Sequence, residues 1–327
     1  MSTRFRWGVI GTGGIARAFA KDLELTTDHK VTHFGSRTLS KAQALADEFN
    51  AIPIGSYEAL VSADIDGVYV ATPHSLHAEN AILALSAKKP VLVEKPFCVN
   101  ALEARQMIAV ARKNQVLLME AMWSRFLPHY EILRTIVRNG EIGNLISIQA
   151  DHGQPLPKDP YYRLHAPELA GGALLDLGVY PISLTSMLLG VPQKILASGN
   201  LNQSGVDAQT SMIFTFQNGA HSLMNTTLLV RTPCTATIVG ELGRVEIDSN
   251  FYTPTTMRTL KSGKAQEYSN NYRGHGLREQ AIEFAKLVES GKQESEIMSL
   301  SESLSIMEMM DSVRNQIGLR YPFELQR

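Results

Sequence analysis

Residues 5–16 read Phe-Arg-Trp-Gly-Val-Ile-Gly-Thr-Gly-Gly-Ile-Ala. Phe5 to Ile10 has the apolar density of a short strand, and Ala18, Phe19 and Leu23 then recur at helical spacing. Between them lies a G-x-G-x-x-A turn with no gap on either side. Strand, glycine turn and helix in that order give the motif its meaning. Gly11 permits the tight turn, Gly13 lets a pyrophosphate approach the backbone, and Ala16 lets helix and strand pack closely. Backbone N–H groups from Thr12 through Gly14 and Ile15 would hold the phosphates at the helix start. The alternative is a strand–helix turn that needs glycine only for its dihedral angles.

The next strand, Lys30 to Gly35, bears on the nucleotide. An NAD site usually places an acid about 20 residues beyond the glycines, to bind the ribose 2′-hydroxyl. Here the chain reads Ser36-Arg37-Thr38-Leu39-Ser40-Lys41, with no acid before Asp47. Ser36 offers a hydroxyl, Arg37 is placed to stack on adenine and fork onto a 2′-phosphate, and Lys41 adds a point charge. NADP is favoured over NAD. A solvated cation at a helix start is the other reading of Lys41.

A helix over Lys41 to Phe49, a short strand Ile52 to Ile54 and a helix from Tyr57 to Val61 capped by Ser56 follow. Gly67 to Ala71 is a buried strand ending in Thr72-Pro73-His74. Pro73 fixes its exit and leaves Thr72 and His74 near the cofactor, while His77 falls to the next helix as a packing or capping residue. Val91-Leu92-Val93 is a further buried strand, and Glu94-Lys95-Pro96 follow where a core strand gives way to a turn. Ligands of open α/β sheets bind outside such strand ends, so Lys95 is expected to face a reacting substrate. A helix over Ala101 to Lys113 and a strand over Val116 to Met119 complete the alternation of an α/β doubly wound parallel sheet. The expected division is a Rossmann dinucleotide-binding domain over 1–122 and a second domain over 123–327.

Composition narrows the rest. The chain has 327 residues, 44% hydrophobic and 19% charged, with a formal net charge of −1, so no long-range field draws in nucleic acid or an anionic membrane. Cys98 and Cys234 cannot make a disulfide framework, and the opening Met-Ser-Thr-Arg-Phe-Arg-Trp has no apolar stretch ahead of a small-residue cleavage site, which leads to a cytoplasmic expectation. No apolar run is expected to reach the roughly 18 residues of a membrane span. No Cys/His/carboxylate spacing resembles a metal site.

With GTGGIA, TPHSLHA, VLVEKPF and the EAMWSRFLP of Glu120 to Pro128 quoted together, the chain resembles the glucose-fructose oxidoreductase/inositol dehydrogenase family. The Met-Trp-x-Arg-Phe segment and the later Gly-Gly-Ala-Leu-Leu-Asp-Leu-Gly-Val-Tyr are shared with its dihydrodiol and NADP-linked D-xylose dehydrogenase branch. The resemblance implies an NADP-dependent oxidoreductase of sugars or cyclic diols, a catalytic Lys95, and a homodimer formed through a C-terminal sheet.

In the second half, Trp123 and Phe126 would wall the nicotinamide and Arg125 would hold a substrate or phosphate oxygen; an aromatic packing hinge is the alternative. Residues 153–170 form a loop expected over the cleft. Gly171 to Pro181 is the second chemical stretch. If it is helical, Asp176 and Tyr180 lie one turn apart on one face, and the glycine pair lets the helix start approach a ligand. A neighbouring ammonium stabilises a phenolate, so Tyr180 would exchange a proton with a hydroxyl while Lys95 polarises the same oxygen. Asp176 would orient the substrate or Lys95, and Glu94 would position Lys95. A helix with a surface Asp and a buried Tyr is the plain reading.

Five strand candidates follow, from Lys194, Gln209, Ala220, Cys234 and Gly243, with a hairpin signal at Gln217-Asn218-Gly219. They imply an α+β domain with an open, mostly antiparallel sheet. Tyr272, with Arg273 and His275, resembles the family's late substrate-contact loop. Two further functions remain open on these residues, a glycoside-cleaving enzyme with tightly held NAD and a non-catalytic NADP-binding sensor.

Overall fold

Apolar runs too short to be helices set the first sheet. In the computed structural model, β1 (Phe5–Ile10), β2 (His29–Gly35), β3 (Ile52–Ile54), β4 (Gly67–Val70), β5 (Val91–Glu94) and β6 (Leu118–Ala121) pair in the order β3-β2-β1-β4-β5-β6. Every pairing is parallel. Parallel strands need both faces covered, and every residue of β4, β5 and β6 is buried. The connecting helices are α1 (Gly14–Leu23), α2 (Leu39–Phe49), α3 (Tyr57–Val61), α4 (His77–Ser86) and α5 (Ala101–Asn114). α1 turns Ala16, Phe19, Ala20 and Leu23 inward, the stripe of an amphipathic helix. Ser56 caps α3 by accepting from Ala59 N at 3.1 Å, as its position predicts. The structure describes residues 4–26, 28–157, 159 and 161–324.

The second sheet has eight strands. After α6 (Pro128–Arg138) come β7 (Leu145–Gly153), α7 (Val179–Leu189), β8 (Lys194–Leu201), β9 (Asp207–Thr215), β10 (His221–Thr227), β11 (Ala236–Gly240), β12 (Gly243–Ile247), β13 (Met257–Lys261) and β14 (Lys264–Tyr268). Their order is β14-β13-β12-β11-β7-β10-β9-β8, antiparallel except where β7 meets β10. Met212, Phe214 and Met224 point to the buried face and Ser211, Ile213 and Leu223 to the other. On the buried side, Thr185 of α7 meets Ser222 at 2.7 Å. Asn218-Gly219 makes the β9–β10 hairpin, with Gly219 at φ +84°. β13 and β14 were not among the expected strands.

Two expectations are corrected. The chain divides into Met1–Trp123 with Arg273–Leu304, and Ser124–Tyr272 with Ser305–Arg327, so residues 273–304 do not belong to the second domain. The reason is aromatic packing. Phe284 of α8 (Arg278–Glu289) lies 5.0 Å from Trp7 and 6.2 Å from Phe5, ring centre to ring centre. Its ring fills the space where a Cβ on Gly67 would come within 2.8 Å. The buried carboxylate of Asp22 adds a polar tie, accepting from His275 N, Gly276 N and Arg278 N at 2.6, 3.1 and 2.9 Å. The second unit resumes within α9 (Leu300–Ile317). The other correction concerns apolar runs. Pro167–Leu189 is long and apolar enough to cross a membrane, with an 18-residue stretch at mean hydropathy 1.4, but 83% of that stretch is buried within the fold, as a core helix would be.

Candidate active site

In the first unit, the glycine turn does two different things. Gly11 sits at φ +112°, and a Cβ there would meet Ala71 O at 2.5 Å, so only glycine fits. Gly13 and Gly14 open onto empty space, with nothing within 4 Å of the Cβ each lacks. The start of α1 therefore turns its first backbone N–H groups to open space that an anion can enter, and Thr12 and Ile15 flank it, half-buried. At the end of β2, Ser36 is buried and its Oγ accepts from Thr38 N at 3.2 Å, while Arg37 and Lys41 are exposed. Arg37 lines a cavity of about 580 Å³ with Ser56, Tyr57, Leu76 and Asn80.

Beyond β4, Thr72 is buried, Pro73 half-buried, and His74 buried in a one-turn helix. His77 bridges two strand ends, with Nδ1 2.8 Å from Pro96 O and Nε2 2.9 Å from Thr72 O. The segment after β5 is stitched by carboxylates at alternate residues. Lys95 N donates to Glu94 Oε2 at 3.2 Å, Phe97 N to Glu120 Oε1 at 3.1 Å and Val99 N to Glu103 Oε2 at 3.2 Å. Tyr69 Oη also donates to Glu94, whose side chain is buried. The Lys95–Pro96 bond is cis. Lys95 thus stands, half-buried, on a turn held at each second residue. Trp123 is buried, 5.1 Å from the His275 ring.

In the second unit, Asp176 and Tyr180 lie on one continuous helical run, as the sequence predicts, but its first turn is wide. Leu174–Gly178 is a π turn that passes into α7 at Val179. Such turns favour functional sites because they free a carbonyl and redirect side chains. Gln154 Nε2 reaches His152 Nε2 at 3.0 Å and Tyr252 Oη at 2.7 Å. With His152 Nε2 thus accepting, its Nδ1–H donates to Leu177 O in the π turn, at 3.2 Å. The Tyr180 ring lies 4.6 Å from Tyr252 and 5.3 Å from His152. Burial pushes the Tyr252 phenol up to about 12, so it stays neutral as the floor of this cluster. Asp176 Oδ1 accepts from Arg163 at 3.1 Å. Arg163 belongs to the loop 153–170, of which Lys158 and Pro160 lie outside the described residues.

The glycine pair is used differently from the expectation. A Cβ on Gly171 would meet Leu164 O at 2.5 Å, and one on Gly172, at φ +114°, would meet Asp207 Oδ1 at 2.2 Å. The chain's own groups fill both spaces, not a ligand. Arg125 is buried and donates to Ser183 Oγ at 2.8 Å and Ser183 O at 2.7 Å, tying its turn to α7. Phe126 is half-buried beside it in the sequence, and Tyr272 N closes a turn on Asn270 Oδ1 at 3.0 Å. Sequence reasoning did not single out Arg163, His152, Gln154, Tyr252 or Tyr69; each has a partner 13 or more residues away, and no local pattern marks them.

Comparison with known proteins places these features. A family model described as an oxidoreductase family with NAD-binding Rossmann fold matches residues 5–122, and one described as the GFO/IDH/MocA C-terminal domain matches residues 130–246. The chain is 34% identical to trans-1,2-dihydrobenzene-1,2-diol dehydrogenase of Xenopus tropicalis, covering 97% of this chain and 99% of the relative. It is 33% identical to the D-xylose 1-dehydrogenase (NADP(+)) of Hypocrea jecorina, covering 97% and 93%. A solved 3-ketoreductase from Actinomadura kijaniata in complex with NADP and TDP-benzene is similar at TM-score 0.86 and 28% identity, covering 96% of this chain and 98% of that one.

Proposed function

The chain belongs to the GFO/IDH/MocA oxidoreductase family, and from that premise we propose that it is an NADP-dependent dehydrogenase of a sugar or cyclic diol. Its full-length similarity to dihydrodiol and D-xylose dehydrogenases supports the substrate class. The observation that carries the reading is Lys95 at the carboxyl end of the fully buried strand β5, on a turn fixed by buried carboxylates. The open space before Gly13 and Gly14 admits a pyrophosphate, and Arg37, in a stretch of sequence with no acid before Asp47, suits a 2′-phosphate, with Glu58 and Glu79 on the far lining of the same cavity. NADP, when bound, supplies the hydride acceptor. Lys95 polarises the substrate hydroxyl and stabilises the alkoxide that forms, and Tyr180 takes the hydroxyl proton. Asp176, with Arg163 on its Oδ1, orients the substrate or Lys95. The protein acts as a homodimer through the exposed face of its eight-stranded sheet.

The test is NADP reduction with trans-cyclohexanediols, D-xylose and D-glucose, followed by nicotinamide absorbance in parent, Lys95→Ala, Tyr180→Phe and double variants. Each single change is expected to lower kcat by about 10²–10⁴-fold. The double variant should be no worse than the poorer single one, because groups acting on one oxygen lose their effect together. Undiminished turnover in Lys95→Ala would sink the mechanism. Arg37→Asp should raise KM for NADP far more than KM for NAD, and equal effects would remove the 2′-phosphate role. Turnover of a glycoside without added nucleotide would favour the glycoside-cleaving alternative.

A further inference from the structure

The helical run that carries Asp176 and Tyr180 begins against a buried carboxylate from another strand. Asp207, the first residue of β9, has no exposed surface. Its Oδ2 accepts from Leu174 N at 2.8 Å and from Thr210 Oγ1 at 3.0 Å. Leu174 opens the π turn, so Asp207 satisfies a backbone N–H that the helix start leaves without an intrahelical partner. Its Oδ1 lies over the Cα of Gly172, in the space a Cβ would occupy. The turn ahead of the helix is fastened from a second direction. Tyr321 Oη donates to Gly171 O at 2.7 Å, and Gly172 N donates to Leu164 O at 3.0 Å. Arg314 of α9, with its guanidinium 4.7 Å from the Tyr321 ring centre, supplies the positive charge felt by Asp207. Asp311 and Glu324 pair with the same arginine.

We infer that Asp207 is a positioning residue for the active site: it fixes the start of the helix that presents Asp176 and Tyr180, and Gly172 is glycine so that the carboxylate can reach. The inference rests on the proposed role of Tyr180. Asp207 touches neither substrate nor cofactor in this scheme. Its effect runs through the backbone of Leu174–Gly178, which is also held by the bond from His152 to Leu177 O and through the Asp176 side chain by Arg163. A negative charge at a helix start also matches the positive end of the helix dipole. The tie spans β9, the π turn and the Arg314–Glu324 segment, so it joins three separate stretches of the second unit at the foot of one catalytic helix.

The test uses the full-length protein with NADP and a reactive diol or sugar, and measures steady-state kinetics and amide hydrogen exchange together. Asp207→Ala removes both bonds, and Asp207→Asn keeps an acceptor for Leu174 without the charge. For Asp207→Ala, amides of residues 172–178 should exchange at least about tenfold faster, and kcat should fall by about 10²-fold, the loss expected of a misplacement of about 1 Å. KM for NADP should stay within about twofold, since the nucleotide-binding glycines belong to the other unit. Asp207→Asn should recover most of the lost kcat. Should Asp207→Ala fail to fold, Asp207→Asn and Tyr321→Phe carry the test with smaller shifts of the same sign. Parent-like exchange at 172–178, or faster exchange with parent-like kcat, overturns the inference. If Lys95→Ala and Tyr180→Phe both retain turnover, the functional reading falls, and the exchange rates still decide whether Asp207 holds the helix start.

Discussion

Burial pushes the Asp207 carboxyl up to about 6, while the bonds from Thr210 and Leu174 and the charge of Arg314 pull it the other way. The unfolded chain titrates this group near the ordinary value of about 3.9. Because the folded value is the higher one, the folded state binds more protons between the two. The contribution to stability is therefore fully present below about pH 4 and is lost as pH rises through about 6. Asp207→Asn has no charge to bury. Its stability relative to the parent should thus improve by about 1.4 kcal/mol for each pH unit between about 4 and 6 and level off above. Urea unfolding of both proteins at several pH values measures the difference, and a flat difference would show that Asp207 does not titrate in this window. Tyr180 makes a separate prediction: as the base in NADP reduction it must be unprotonated to act, so Tyr180→Phe should remove the rise of rate with pH on the acid side of the profile, and an unchanged limb would assign the proton to another group. Gly11, Gly13 and Lys95 could be read from sequence because their meaning lies in adjacent residues. Asp207 could not, since its partner Leu174 is 33 residues away.

At the scale of elements, legibility follows how local the deciding force is. β4 and β5 are continuous apolar runs, and a strand buried on both faces needs no other signal. The β9–β10 hairpin announces itself through Asn218-Gly219. β14, Lys-Ala-Gln-Glu-Tyr, is almost wholly exposed at the sheet edge, so no apolar alternation marks it, and only Ser262-Gly263, both at positive φ, hints at its turn. α8 lies in the stretch expected to belong to the second domain, and nothing local marks its allegiance to the first, because the aromatic cluster of Phe5, Trp7, Phe19 and Phe284 forms between residues from opposite ends of the chain. This gives a prediction about the helix rather than the site. Phe284→Ala leaves a void beside Trp7 and should destabilise the first unit by about 3–5 kcal/mol. Urea unfolding followed by tryptophan emission should report the loss. A change under about 1 kcal/mol would mean that α8 does not close this core.

At the scale of the whole molecule, among the described residues, the outer face of the second sheet leaves apolar side chains uncovered. Across the outer face of the eight-stranded sheet, Leu196 pairs with Ile213 and Ile213 with Leu223, so three apolar side chains form an unbroken row over β8, β9 and β10. They are 46, 41 and 44% exposed. Single exposed leucines are ordinary, but a contiguous apolar row marks a surface for association. A polar row lies alongside, in which Ser211 Oγ donates to Asn225 Oδ1 at 2.9 Å and Asp151 accepts from Cys234 N and Thr235 N at 2.9 and 3.2 Å. Those polar groups already have partners within the chain, so covering them costs less than burying open ones. Two copies related by a twofold axis would set like rows against each other, the usual form of a closed dimer. A stable pair needs roughly 800 Å² from each partner, which a sheet of this width can supply. Ile213→Glu would place a carboxylate in the centre of that row, and Leu223→Lys an ammonium. Either should convert the proposed dimer to monomer in sedimentation velocity while leaving the fold intact by circular dichroism. Mixing the two variants should restore part of the association, because the opposed charges then meet across the axis; a parent protein that sediments as a monomer at tens of micromolar, roughly ten times the micromolar affinity of a modest interface, would exclude this face as the dimer contact.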